Sequence, residues 1–161
     1  MTSTHAFTRN GFHSSDLDPH QDPLARIRRN LTLLDGDEMY AYSLWKLPEG
    51  AKWRDGLPAD WPHEYMQSAG SAEAMNIEIR QIEDGAANQY AVTRSAARSS
   101  DPEQSIVFGP KRRELRIPSS EVFTADEAFP VYKQYYASGV VPEGFALRPL
   151  DLTYPNSGDE Q

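Results

Sequence analysis

The apolar positions along the second half of the chain change period once, near residue 120. From Met75 they alternate, with Met75, Ile77 and Ile79 facing one way and Asn76, Glu78 and Arg80 the other. This is the period-two pattern of a half-buried antiparallel strand. Asp84-Gly85 then marks a tight hairpin turn. NQYAVTR returns with Tyr90 and Val92 inward, and QSIVFG is a third short strand. RRELRIP, with Leu115 and Ile117 on one face, is a fourth. Residues 75–118 therefore predict a meander of roughly four strands. Beyond it the spacing becomes helical, through Ala128, Val131, Tyr132, Tyr135 and Tyr136. Thr124 with Glu127 three residues later forms a capping box, and Gly139 supplies a left-handed stop. Pro130 fits this helix awkwardly, so that either Asp126 is the true cap or the helix is kinked there. In GFALRPLDL, Phe145, Leu147 and either Leu150 or Leu152 turn toward the core, and Pro149 points to an edge strand or an extended arm.

The first half is less regular. Residues 1–22 are rich in Ser, Thr, His, Asp and Asn without a period, which predicts a disordered or loosely attached arm. In PLARIRRNLTLLDGDE, Asp22 can cap a helix that starts at Pro23 and shows Leu24, Ile27, Leu31 and Leu34 on one face; an edge strand is the alternative. MYAYSLWKL, residues 39–47, reads as a strand with Tyr40, Tyr42 and Leu44 on one side. The Pro-, Gly- and Trp-rich segment after it reads as a long loop ending near Ala74. Together these elements predict an α+β fold: an antiparallel β-meander of about four to six strands covered on one face by a C-terminal helix. Residues 23–152 form its single domain, and residues 153–161 a flexible tail. The helix's tyrosines, Tyr132, Tyr135 and Tyr136, read as core rather than as a cofactor box.

Composition narrows the function classes. The 161 residues suffice for one core, and none of them is Cys. That removes disulfides, thiolate metal sites and Cys nucleophiles together, and it fits a cytoplasmic protein. No apolar run is long enough for a membrane span, and the N-terminus lacks the apolar region of a secretory signal. The formal charge of −8 disfavours nucleic acid as a partner and would steer a basic protein toward the chain, although solubility alone also accounts for it.

Candidate chemistry is sparse. His5, His13 and His20, with Asp16, Asp18 and Asp22, belong to the expected arm and read as a solvated tail rather than a metal site. His63 beside Glu64, with Asp60 nearby, could form an acid/base pair, with Arg94 or Arg116 in support; a surface loop is the plainer reading. The basic stretch with Lys111, Arg112, Arg113 and Arg116 reads as a charged hairpin tip, or as a grip for phosphate or an acidic loop. Neither a phosphate-binding Gly-rich loop nor a nucleophile elbow is present, so no catalytic, cofactor or metal residues are assigned. What remains is the tryptophan-rich loop. Trp45, Trp53, Asp60, Trp61, Glu64 and Tyr65 are the candidate partner-binding residues, since Trp and Tyr carry much of the energy at interfaces; core packing is the competing role.

Residues 75–152 resemble the Imm1-type immunity proteins of bacterial polymorphic toxin systems. MNIEIRQIEDGAANQYAVTR is similar to that family's opening hairpin, and ELRIPSSEVFTADEAFPVYKQYYASGVVPEGFALRPL to its closing pattern. Ala128, Tyr135 or Tyr136, Gly139, Pro142 and Phe145 hold the family's structural positions, while Leu147 or Leu150 stands where a Trp is frequent. The resemblance implies a non-enzymatic, cytoplasmic inhibitor without cofactor. It would bind a cognate toxin domain, commonly a nucleic-acid deaminase, one to one and block its active site. The competing readings are an adaptor or secretion chaperone for another protein, and a small hydrolase-like enzyme using His63 and Glu64.

Overall fold

The computed structural model describes residues 3–11, 13–96, 98 and 100–151. Its centre is one row of apolar side chains lined up by strand register. Phe7 pairs with Leu44, Leu44 with Met66, Met66 with Ile79, and Ile79 with Tyr90. They belong to strands β1 (His5–Arg9), β3 (Ala41–Lys46), β4 (Tyr65–Ser71), β6 (Glu78–Glu83) and β7 (Ala86–Arg94). Side chains alternate along a strand, so residues paired across strands share a face. Helices α1 (Pro23–Thr32) and α2 (Ala125–Ser138) bring Ile27, Leu31, Ala128, Val131 and Tyr132 into the same cluster, all with no measurable exposure. Burying a side chain of Leu or Ile size contributes about 1.5–3 kcal/mol.

The main sheet is antiparallel throughout and holds eight strands. With β2 (His13–Asp16) and β10 (Phe145–Pro149) at its edges, the order is β10-β7-β6-β4-β3-β1-β2, and the short β5 (Ala74–Met75) pairs with β4. Strands β8 (Glu103–Phe108) and β9 (Arg113–Pro118) form a separate hairpin. The α+β, largely antiparallel class expected from the sequence is the one observed. The sheet is larger than four to six strands, however, and two helices rather than one join its core. The longer helix is not C-terminal, since it ends at Ser138 and β10 follows.

Local signals behave as expected where they are self-contained. Asp22 accepts from Ala25 N at 3.1 Å and starts α1, so the helix reading holds over the edge strand. At α2, Thr124 Oγ1 accepts from Glu127 N at 3.2 Å and Glu127 Oε1 from Thr124 N at 2.9 Å. The box fixes Thr124, not Asp126, as the cap, and Pro130 is carried inside the helix. Asp84 and Gly85 have φ of 52° and 79°, the paired left-handed turn that an antiparallel hairpin favours. Pro149 lies on an edge strand, where its missing N–H costs no ladder bond.

Two expectations are corrected. Residues 5–9 and 13–16 are not an arm but strands, and β1 lies inside the sheet between β3 and β2. HAFTR reads as polar, yet His5, Ala6, Phe7 and Thr8 are all buried, and Thr8 Oγ1 hydrogen-bonds Ser43 Oγ across the pair. A partner supplied from 35 residues away removes the cost of burying that hydroxyl. The supposed loop up to Ala74 contains β4, which pairs with β3, β5 and β6. At Gly70 in this strand φ is +128° and the backbone of Ala74 packs where a Cβ would stand, so only glycine lets β5 fold back so closely. The expected tail, 153–161, lies outside the described residues.

Candidate functional site

The sheet face opposite the apolar row carries polar and aromatic side chains, ordered by the same register. One row runs Arg148, Ala91, Glu78, Gln67, Ser43, Thr8; the next runs Gln89, Arg80, Tyr65, Trp45, Ala6. The β8–β9 hairpin stands beside this face. It is held by Gly109 N donating to Gly36 O at 2.9 Å and by Phe108 stacking on Tyr40 at 6.4 Å between ring centroids. Between hairpin and sheet lies an open cleft of about 1110 Å³. Thr8, Ser43, Gln67, Asn76 and Glu78 line its floor, Tyr40, Phe108, Arg113 and Glu114 one wall, and Trp45, Trp53, His63 and Tyr65 the other.

The tryptophan wall is one packed cluster. Trp45 lies 4.5 Å from Tyr65, 5.2 Å from Trp53 and 6.1 Å from His63 between ring centroids, the last two edge-on. Trp45 Nε1 donates to Ser43 Oγ at 2.8 Å, and Trp53 is fixed by its backbone N–H donating to Asp16 Oδ1 at 2.7 Å. The Trp45 indole thus satisfies its polar atom while its ring lines the cleft. Burial pushes the Tyr65 phenol above its ordinary pKa, with Arg80 drawing it partly back.

On the floor, Glu78 is gripped by amides. Its Oε1 accepts from Gln67 Nε2 at 2.9 Å and Gln89 Nε2 at 2.8 Å, and its Oε2 from Asn76 Nδ2 at 3.2 Å. Arg148, in the same row, is committed elsewhere. Its Nε donates to Glu121 Oε2 at 2.6 Å and its Nη2 to Glu121 Oε1 at 2.9 Å.

Of the six residues picked from sequence, Trp45, Trp53 and Tyr65 come together at the cleft. Glu64, one step from Tyr65 along the chain, faces the other way and accepts from Ile82 N at 2.9 Å beside a second groove near Tyr135 and Tyr136. Asp60 is exposed in the turn after Pro58, and Trp61 donates from Nε1 to Lys46 O at 3.1 Å; neither lines the cleft. His63 lines the cleft and Glu64 the second groove, so the suggested acid/base pair does not converge. Arg94 bonds the carbonyls of Ser120 and Val122 and pairs with Glu127, and Arg116 pairs with Glu103; neither supports His63. His5 is buried against Tyr136, apart from His13 and His20, and among the described residues no cluster of His, Asp or Glu fits a metal ion. The basic stretch forms the β8–β9 hairpin tip, with Arg112 left-handed at φ 50°.

The floor residues Gln67, Asn76 and Glu78 were missed as a site. Asn76 and Glu78 stand out in the alternation of MNIEIRQIE, but polar residues on one strand face read as solvent-facing until a second element is known to cover them. Among the described residues, no helix is long and apolar enough to cross a membrane. No family model, curated protein or solved structure matches this chain.

Proposed function

We propose that this chain is an immunity protein, an inhibitor that holds a cognate toxin domain one to one in the cytosol of the producing cell and covers the toxin's active site. The observation that carries this reading is the cleft, where the Trp45–Trp53–Tyr65 cluster and the amide-held carboxylate of Glu78 share one concave face. Rigid aromatic anchors around a polar centre suit recognition of a protein surface. A toxin that acts on nucleic acid needs a basic substrate groove, and a chain of charge −8 complements it, raising the association rate as well as selectivity. The resemblance of residues 75–152 to immunity proteins points the same way. In this reading α2 backs the sheet, and the opposite face with the β8–β9 hairpin contacts the toxin.

The test is co-expression with the toxin domain encoded beside this chain, a deaminase being the first expectation. Growth rescue together with a one-to-one complex on size-exclusion chromatography is the expected result. Trp53→Ala, in a 3-10 turn outside the sheet, should weaken the complex without unfolding the chain. A toxin that stays active and elutes separately overturns the reading.

A further inference from the structure

We propose that Glu78 is the seat for an arginine side chain presented by a partner protein, its guanidinium entering the cleft against the carboxylate and the aromatic wall. A carboxylate can only accept, so the three amides must turn their NH₂ groups toward it. They fill about three of its four acceptor positions and leave one on Oε2. They also leave carbonyl oxygens pointing away. That of Asn76 takes Ala69 N at 2.8 Å, whereas those of Gln67 and Gln89 have no donor among the described residues. Each NH₂ keeps a second N–H, so the amides hold spare donors as well as spare acceptors, and the only formal charge in the group is the carboxylate's.

Amides satisfy hydrogen bonds but bring no charge. Glu78 has no direct ion pair among the described residues; the cation in its row, Arg148, attracts it at longer range but spends both arms of its fork on Glu121. On the hairpin wall Arg113 and Glu114 cancel in net charge, so the floor carboxylate sets the sign of the cleft. A cation is thus the complementary ligand. A metal ion is disfavoured, because a single carboxylate with amide neighbours lacks the clustered ligands a site of that kind needs. A guanidinium fits best. Its flat face can lie against Tyr65 or Trp45, and its five N–H groups can reach the free carboxylate position and the carbonyl of Gln67, which lines the cleft.

This inference rests on the inhibitor reading only for the identity of the protein that donates the arginine. The test uses the full chain and two peptides, Ac-Gly-Arg-Gly-NH₂ and its citrulline counterpart, which has similar shape without charge. Tryptophan fluorescence should change saturably with the arginine peptide. Citrulline should bind at least about tenfold more weakly, as should arginine to Glu78→Gln, which keeps the side chain's size. Equal binding of the two peptides to the unaltered chain overturns the proposal, whatever the variant's stability. Unchanged arginine binding by a folded Glu78→Gln chain overturns it too. If the toxin is not captured but the arginine peptide binds as expected, the seat stands and the immunity reading falls. If the toxin is captured equally by Glu78→Gln, the seat falls alone.

Discussion

Arg148→Ala should destabilise the fold more than Glu121→Gln, although the two changes break the same ion pair. The pair is side-on, with Arg148 Nε and Nη2 at 2.6 and 2.9 Å from the two oxygens of Glu121. Its two sides differ in solvent access: the side chain of Glu121 is 3% exposed and that of Arg148 45%. Truncating the arginine leaves a buried carboxylate with no other hydrogen-bond partner among the described residues. Stranding one member of a fully buried pair costs about 3–5 kcal/mol. Here water can follow the departed guanidinium from its exposed side, which lowers the expectation to about 2–3 kcal/mol. Glu121→Gln keeps the shape and one acceptor, and the guanidinium it abandons can hydrate, so about 1 kcal/mol is expected. Urea unfolding at pH 7 separates these values. An Arg148→Ala no worse than Glu121→Gln would refute the reasoning.

Two further outcomes follow from single positions. Burial, and then Lys46, hold the His5 imidazole down at about 4 against 6.5 in an unfolded chain. The folded state thus binds fewer protons between those values, so stability is full above pH 6.5 and falls as pH drops toward 4, by up to about 3 kcal/mol. Urea midpoints at pH 7.5 and 4.5 should converge for His5→Phe relative to the unaltered chain; parallel losses would sink the idea. At Gly70 an added Cβ would stand 2.2 Å from Ala74 O, whereas at Gly85 nothing lies within 4 Å. Gly70→Ala should therefore lower stability by about 2 kcal/mol more than Gly85→Ala, whose cost is only the left-handed backbone, and similar melting temperatures would contradict the close approach of β5 to β4.

What the sequence determined by itself was whatever a few neighbouring residues settle together. The Thr124–Glu127 box, the Gly139 stop, the Asp22-Pro23 start and the Asp84-Gly85 turn each close within one helical or hairpin turn, so their chemistry is complete in a short window. The alternation of Met75, Ile77 and Ile79 likewise marked core positions, although Asn76 between them is buried as well, and the tyrosines of α2 were legible as core. What only the tertiary structure decided was pairing over distance. HAFTR became an interior strand because Phe7 found Leu44 and Thr8 found Ser43; YMQSAGS became one because Met66 found both Leu44 and Ile79. QSIVFG and RRELRIP, which read as part of one meander, left the sheet to form a hairpin beside it. The cleft belongs entirely to this second kind. Trp45 and Tyr65 were visible as residues, but their adjacency, the amides around Glu78 and the opposing wall exist only once register has brought separate strands to one face. Local stereochemistry is written in adjacent residues, whereas a binding surface depends on which distant strands pair and in what register.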